Sequence, residues 1–169
     1  KLPAYAFAKD VKGFGDLGLA ALIGEAGELS RYATVEKIWK RLGLAPYEGK
    51  AYSTWRRTGG LSAEDWTLAG YAPRRRAEVY AVIQDPLFRH QTVSQGPYRA
   101  AYDVRRARTA ETHPDWTKAH SHADAGRVMV KALVSDLWSE WRKAVAGMPA
   151  KATEDVPSST LALGVEVAA

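Results

Sequence analysis

The sequence predicts an all-α fold: a compact multi-helix domain containing a helix-hairpin-helix, a loop-rich insert around residues 45–60 and a flexible C-terminal tail. Apolar residues recur at helical spacing, as in Val35, Ile38 and Leu42. Glycine and proline interrupt these runs where helices are expected to end. The 169-residue chain contains no cysteine, which excludes disulfides and thiolate metal sites. It also has no run of about 18 apolar residues, so we expect no membrane span.

The first half of the chain divides into short helices, each with a recognisable end signal. Gly27 follows the second apolar run, and Gly43 and Pro46 follow the third. Ser62 and Asp65 have the spacing of a capping box and indicate a further helix start. We expect helices over residues 2–8, 16–26, 35–42 and 62–69.

The second half predicts longer helices. Pro73 suits the first turn of a helix, whereas Pro86 is expected to kink or break that helix. Ser121 is the expected N-cap of the last helix, whose apolar stripe includes Trp138 and Trp141 as core residues. These helices cover residues 73–90, 98–110 and 122–145. We expect a helical domain at 1–146 and a linker or disordered tail at 147–169.

The charge of the chain favours a polyanionic partner. The formal net charge is +5, and the tail after residue 146 holds one lysine and three acidic residues, so the helical body is more basic than the whole chain. Such a body attracts nucleic acid, although many proteins of similar charge have no such role. The chain starts at Lys1 instead of Met, which suggests a processed chain or a fragment.

The segment around Gly13 and Gly15 predicts a tight turn that opens a helix. Glycine adopts positive φ without steric cost, and the missing side chains let backbone N–H groups approach a partner. The N–H groups near Leu17 and the positive end of the helix dipole then suit a phosphate oxygen. The alternative is a helix–turn–helix packing corner without a ligand.

Basic residues form four clusters with aromatic residues between them, a mixture that suits contact with a nucleic-acid backbone and its bases. The alternative is a solvated face with buried stems. The clusters are Lys37, Lys40 and Arg41; Arg56 and Arg57; Arg74, Arg75 and Arg76; and Arg99, Arg105, Arg106 and Arg108.

Catalytic and metal signals are weaker. Ser53 lies near Arg56 and Arg57, which would stabilise charge developing on a phosphate if Ser53 were a nucleophile, but no histidine-based triad accompanies it. A loop serine with local hydrogen bonds is the alternative. The histidines at 113, 120 and 122 lack the spacing of a metal site, and we expect no metal and no cofactor in this chain.

Residues 12–27 (KGFGDLGLAALIGEAG) and the GLAP segment at 43–46 together resemble the C-terminal transposase domain of the DEDD-type, Piv-like transposase and invertase family. The resemblance covers residues 10–142. It implies DNA cutting and rejoining with a serine nucleophile after the GLAP segment, where Ser53 is the nearest serine and Thr54 follows it in place of glycine. It further implies an N-terminal acidic resolvase-like domain, a guide RNA and assembly into homo-oligomers.

The leading hypothesis is therefore the DNA-binding domain of a transposase or site-specific recombinase from a mobile element or prophage, located in the cytoplasm. Its predicted DNA contacts are Lys12, Gly13, Gly15, Leu17, Lys40, Arg41, Arg56, Arg57, Arg74, Arg75 and Arg76. One alternative is an active recombinase half that uses Ser53 together with a separate acidic domain. Another is a non-enzymatic helical phage protein whose Trp138/Trp141 helix lies in an oligomer interface.

Overall fold

The computed structural model describes residues 2–46, 62–68, 72–91 and 96–147. Within these ranges the chain is helical and contains no strand, which confirms the predicted all-α class. None of the helices in these ranges combines the length and apolarity needed to cross a bilayer. Most of the predicted insert at 45–60, and the predicted tail beyond Gly147, lie outside the described residues.

Three helices form the N-terminal part: α1 (Tyr5–Asp10), α2 (Gly15–Ala26) and α3 (Val35–Arg41). A short 3₁₀ turn at Leu29–Arg31 connects α2 to α3. Gly27 ends α2 as predicted, with a φ of +81° and its N–H donating to the Ile23 carbonyl. Because side chains are strained at this φ, a glycine is the residue that ends α2 at least cost.

Helix α4 (Ala63–Leu68) begins at the predicted capping box. The Ser62 N–H donates to Asp65 Oδ2 at 2.8 Å, and the Asp65 N–H donates to Ser62 Oγ at 3.1 Å. The backbone and side-chain hydrogen bonds from Ser62 hold the pKa of the Asp65 carboxyl below its ordinary value. The reciprocal bonding satisfies two N–H groups at this end of the helix, as its sequence spacing predicted.

The predicted helix over 73–90 is continuous, so of the kink or break expected at Pro86 the break was wrong. Its parts are α5 (Pro73–Glu78), a π-helical segment (Val79–Gln84) and α6 (Asp85–His90). Pro86 lies in the first turn of α6, and the preceding residues keep helical φ and ψ. The Asp85 N–H bonds to the Tyr80 carbonyl five residues earlier, so a π turn comes directly before the proline, and Pro86 lies in a first helical turn, where proline is tolerated.

The C-terminal part is an antiparallel hairpin of α7 (Pro97–Thr112) and α8 (Lys118–Ala146). The expected N-cap at Ser121 was wrong, because α8 begins one turn earlier. Thr117 is the N-cap, and its Oγ1 accepts a hydrogen bond from the His120 N–H at 3.2 Å. Ser121 lies inside the helix, with its N–H donating to the Thr117 carbonyl.

Helix α8 supplies the centre of the hydrophobic core and packs against α7, α3, the 3₁₀ turn and the π segment. Trp141 is fully buried, and its Nε1 donates to the Glu28 carboxylate across 113 residues of sequence. Burial acts to raise the pKa of Glu28, but the hydrogen bonds from Ser30 and Trp141 outweigh it and leave the pKa below its ordinary value. Trp141 is thus a core residue, which contradicts the oligomer-interface alternative at this position.

Candidate nucleic-acid interface

Two of the predicted DNA-binding arginines lie at the C-terminal end of α2, where both bond to Glu25. Arg75 Nε lies 3.1 Å from Glu25 Oε2 in an ion pair, and Arg41 Nε donates to the backbone carbonyl of Glu25 at 3.2 Å. Glu25 is 50 residues from Arg75 and 16 residues from Arg41 in sequence. The fold therefore brings the α3 and α5 clusters together around one glutamate.

Each of these two arginines uses only its Nε for this anchoring. Among the residues that the structure describes, the Nη1 and Nη2 groups of Arg41 and Arg75 have no hydrogen-bond partner. The Arg75 side chain retains 21% of its exposure, so its fork is partly open to solvent. A guanidinium that is fixed through Nε and free at both Nη groups has the geometry for bidentate contact with a phosphate.

Two further predicted cations border this pair, and a third forms a hydrogen bond within the protein. Lys40 and Arg74 are exposed, next in sequence to Arg41 and Arg75. Arg76 instead donates from Nη1 and Nη2 to Gln84 Oε1 at 3.4 and 3.5 Å, which turns it toward the π segment. We define the basic cluster as Lys40, Arg41, Arg74 and Arg75.

The Arg41 contact also completes the end of α2. The last carbonyls of a helix have no partner within the helix and need one from outside. Gly27 N–H bonds to the Ile23 carbonyl, Arg41 bonds to that of Glu25, and Tyr32 Oη donates to that of Ala26 at 2.6 Å. Arg41 therefore has a structural role as well as a free donor edge.

The glycine turn lies at the other end of α2. Gly13 has a φ of +84°, and a Cβ there would meet the Pro86 carbonyl oxygen at 2.6 Å and the Leu87 Cα at 2.9 Å. Its missing side chain is thus explained by close packing against α6, which favours the packing-corner alternative at this residue. Gly15, with a φ of +51°, faces open space, and Leu17 is 73% exposed.

The remaining features of this turn do not reach the basic cluster. Lys12 is exposed, and its carbonyl accepts from Gln91 Nε2 at 3.5 Å. Asp16 lies in the first turn of α2 and puts a carboxylate beside the N–H groups expected to bind phosphate. Ten residues separate Gly15 from Glu25, or about 15 Å along the helix. The structure therefore does not bring the two predicted contact sets into one site.

Three of the four arginines of the α7 cluster, Arg99, Arg105 and Arg106, bind within the protein. Arg99 pairs with Asp103 at 3.1 Å, and its guanidinium lies 4.4 Å from the centroid of the Phe88 ring. Arg106 Nη1 donates to the Lys118 carbonyl at 3.0 Å. These contacts hold α7 against α6 and α8, so this cluster is for the most part a packing feature.

Asp124 is the centre of the tightest charge network among the described residues. Arg105 Nε lies 2.5 Å from its Oδ2 and Arg127 Nη2 lies 2.9 Å from its Oδ1, and Asp124 itself is 8% exposed. Burial acts to raise the pKa of Asp124, but the two arginines outweigh it and hold the pKa below its ordinary value. A buried carboxylate is thus neutralised by one cation from each helix of the hairpin.

The histidines have roles in packing. His122 Nδ1 lies 2.7 Å from Tyr102 Oη, and burial followed by the nearby Arg106 charge lowers the pKa of His122. The rings of His113 and His120 stack on opposite faces of Trp116, at 4.2 and 3.9 Å between centroids. Over the described ranges, no group of three or more metal-binding side chains converges on one point.

Three predicted site residues, Ser53, Arg56 and Arg57, lie outside the described residues.

No protein-family model, curated protein or solved structure matches the chain. Sequence reasoning missed Glu25, because an acidic residue near a helix end gives no signal of partners 16 and 50 residues away.

Proposed function

We propose that this chain binds the phosphate backbone of DNA through the basic cluster at the C-terminal end of α2. The observation that supports this most directly is the fixed pair of guanidinium groups, Arg41 and Arg75, anchored through Nε on Glu25 with their Nη groups unpaired. Anchoring reduces the conformational entropy that each side chain loses on binding a phosphate. It also sets the orientation of the donor edge before DNA arrives.

Charge supports the same proposal. Lys40 and Arg74 add two exposed cations beside the pair, and Glu25 is the one carboxylate that contacts it in the described structure. The cluster thus retains a net positive charge on a chain of formal charge +5. Arginines and lysines arranged in this way attract a polyanion of any sequence, because phosphate contacts position a protein on DNA without reading bases.

The broader part of the proposal is that this DNA-binding chain serves a transposase or site-specific recombinase. Its support is the resemblance of residues 12–27 and 43–46 to that family. The glycine turn adds little to DNA binding in this account, since Gly13 packs against α6 and Asp16 opposes an anion. The backbone N–H groups at Gly15 and Leu17 remain an additional predicted contact.

Fluorescence anisotropy with a labelled 20-base-pair duplex tests the proposal. We expect Arg41→Gln/Arg75→Gln to bind at least about tenfold more weakly than the native chain, a loss of roughly 1.4 kcal/mol. Arg74→Gln should weaken binding by a few-fold, and it breaks no described contact, so folding does not confuse the result. Arg108→Gln is the matched control, because it removes one exposed arginine of α7.

Thermal unfolding of each variant accompanies the binding curves, because Arg41 also caps α2. Duplex affinity that is unchanged in both Arg41→Gln/Arg75→Gln and Arg74→Gln would overturn the assignment of the basic cluster. An equal loss in Arg108→Gln would show that binding follows total charge and not this surface.

A further inference from the structure

One face of α8 carries unpaired cations beside two tryptophans. Positions four and seven apart lie on the same side of a helix, so Lys131, Trp138 and Arg142 share a face. Trp39 of α3 packs onto this face, with Lys131 Nζ 5.0 Å from the centroid of its ring. We call these four residues the α8 stripe.

Lys131 is unusual in its surroundings. It is half-buried and, in the part of the chain that the structure describes, its ammonium group forms neither an ion pair nor a hydrogen bond. Burial, followed by the charge of Arg127 one turn away, lowers the pKa of Lys131. The carboxylate whose charge acts on Lys131, Asp124, is already held by Arg105 and Arg127.

Trp39 adds an unsatisfied donor at the same place. Its indole Nε1–H is buried and has no acceptor among the described residues. Leaving a buried donor without a partner is energetically unfavourable. Lys131 and Trp39 therefore place a cation without a counter-charge and a donor without an acceptor next to each other.

The same pairing recurs two turns further along α8. The Arg142 guanidinium lies 4.9 Å from the centroid of the Trp138 ring, and Trp138 Nε1–H is likewise buried without an acceptor in the described structure. The acidic residues of this part of α8 are engaged elsewhere. Asp136 accepts from Tyr98 Oη at 3.0 Å, and Glu140 pairs with Lys143 at 2.7 Å.

We propose that the α8 stripe binds separated phosphate groups of one nucleic-acid strand, as a second contact surface apart from the basic cluster. This inference rests on the proposed function. Eleven residues separate Lys131 from Arg142, or about 16 Å of helix. One strand of duplex DNA carries a charge every 3.4 Å of axis, so the stripe spans about five phosphates. An extended polyanion matches both cation–indole pairs at once, whereas a single free phosphate reaches one of them.

Indole N–H resonances test this directly. The chain has six tryptophans, and Trp39→Phe and Trp138→Phe assign the two relevant cross-peaks in a ¹⁵N-correlated spectrum. During titration with a 12-nucleotide duplex, we expect both cross-peaks to shift saturably. Lys131→Met should abolish the Trp39 shift, and Arg142→Met should abolish the Trp138 shift. Lys143→Met is the matched control: it removes a neighbouring charge on another face and should preserve both shifts.

The experiments can reject the α8 stripe and the basic cluster independently of each other. If neither indole cross-peak shifts, or if both shift in Lys131→Met/Arg142→Met as they do in the native chain, the α8 stripe is not a nucleic-acid surface. Loss of affinity in Arg41→Gln/Arg75→Gln would still support the basic cluster. If the native chain binds no duplex, the proposed function fails. Shifts produced by inorganic phosphate but not by the duplex would reassign the stripe to a free anion and overturn the inference.

Discussion

The α7–α8 hairpin and the C-terminal end of α2 are both rich in arginine, yet they use it differently. In the hairpin, Arg99, Arg105 and Arg106 are held by Asp103, Asp124 and the Lys118 carbonyl. At the end of α2, Arg41 and Arg75 share one glutamate and keep their Nη groups unpaired within the described residues. The difference lies in the surroundings: Arg105 and Arg127 surround the buried carboxylate of Asp124, whereas the exposed Lys40 and Arg74 lie beside Arg41 and Arg75.

Removal of Asp124 gives the largest expected effect on this comparison. Asp124→Ala leaves Arg105 and Arg127 without a counter-charge, and breaking a buried pair of this kind costs about 3–5 kcal/mol. The two arginines keep 33% and 27% of their exposure, so solvent screening puts the loss near the lower end of that range. Urea unfolding monitored by circular dichroism measures it.

Asp103→Ala is the control in the same hairpin. Its pair with Arg99 is a partly exposed i,i+4 contact with 39% exposure at the carboxylate, and helical pairs of this spacing contribute about 0.3–0.5 kcal/mol. If Asp124→Ala costs no more than Asp103→Ala, the Asp124 network does not stabilise the hairpin.

The pH dependence of unfolding tests the same network. The pKa of Asp124 is held below its ordinary value of 3.8 in the folded protein, so its ionised form stabilises the fold. That contribution is present above about pH 4 and is lost as pH falls through the folded-state pKa. We expect the free-energy gap between the native chain and Asp124→Ala to narrow below pH 4. A gap that stays constant down to pH 2 would contradict the assignment.

A second contrast between packing and exposure lies within the glycine turn. Gly13→Ala places a Cβ against the α6 backbone and also requires positive φ, so we expect a loss of about 2–4 kcal/mol. Gly15→Ala meets nothing within 4 Å, and we expect about 1 kcal/mol from its φ alone. Thermal unfolding of both variants checks this. Equal losses would mean that Gly13 does not pack against α6.

The smallest expected effect concerns the glutamate that anchors the basic cluster. Glu25→Gln removes the one negative charge beside Arg75 and retains a hydrogen-bond acceptor. Duplex binding should tighten by about two- to threefold at low salt, because a partly exposed charge pair contributes about 0.2–1 kcal/mol. Weaker binding would show that the Glu25 carboxylate aids binding mainly by fixing Arg75 in position, since Arg41 bonds to the Glu25 backbone carbonyl, which the substitution leaves unchanged. Anisotropy at 50 mM and 200 mM salt makes the measurement.

Local signals predicted most of the fold. The Ser62/Asp65 capping box, the Gly27 helix end and the buried Trp141 follow from residue spacing and residue type. The N-cap of α8 was placed wrongly because Thr117 and Ser121 are both good N-cap residues. The break at Pro86 was expected because no sequence pattern indicated the π winding of that helix.

The candidate site was harder to predict, because it depends on contacts between distant parts of the chain. Four basic clusters were visible in the sequence, but their partners were not. Nothing local indicates that Glu25 anchors Arg41 and Arg75, or that Asp124 binds Arg105. The packing role of Gly13 likewise depends on α6, more than 70 residues away in sequence.

The salt dependence of duplex binding tests the central claim most directly. For the native chain, the logarithm of the association constant should fall linearly with the logarithm of salt concentration, as counterion release requires. Arg41→Gln/Arg75→Gln should reduce the magnitude of that slope by about two, one for each lost phosphate contact. A native chain whose affinity does not change with salt, or a double variant with the native slope, would contradict DNA-backbone binding at the end of α2.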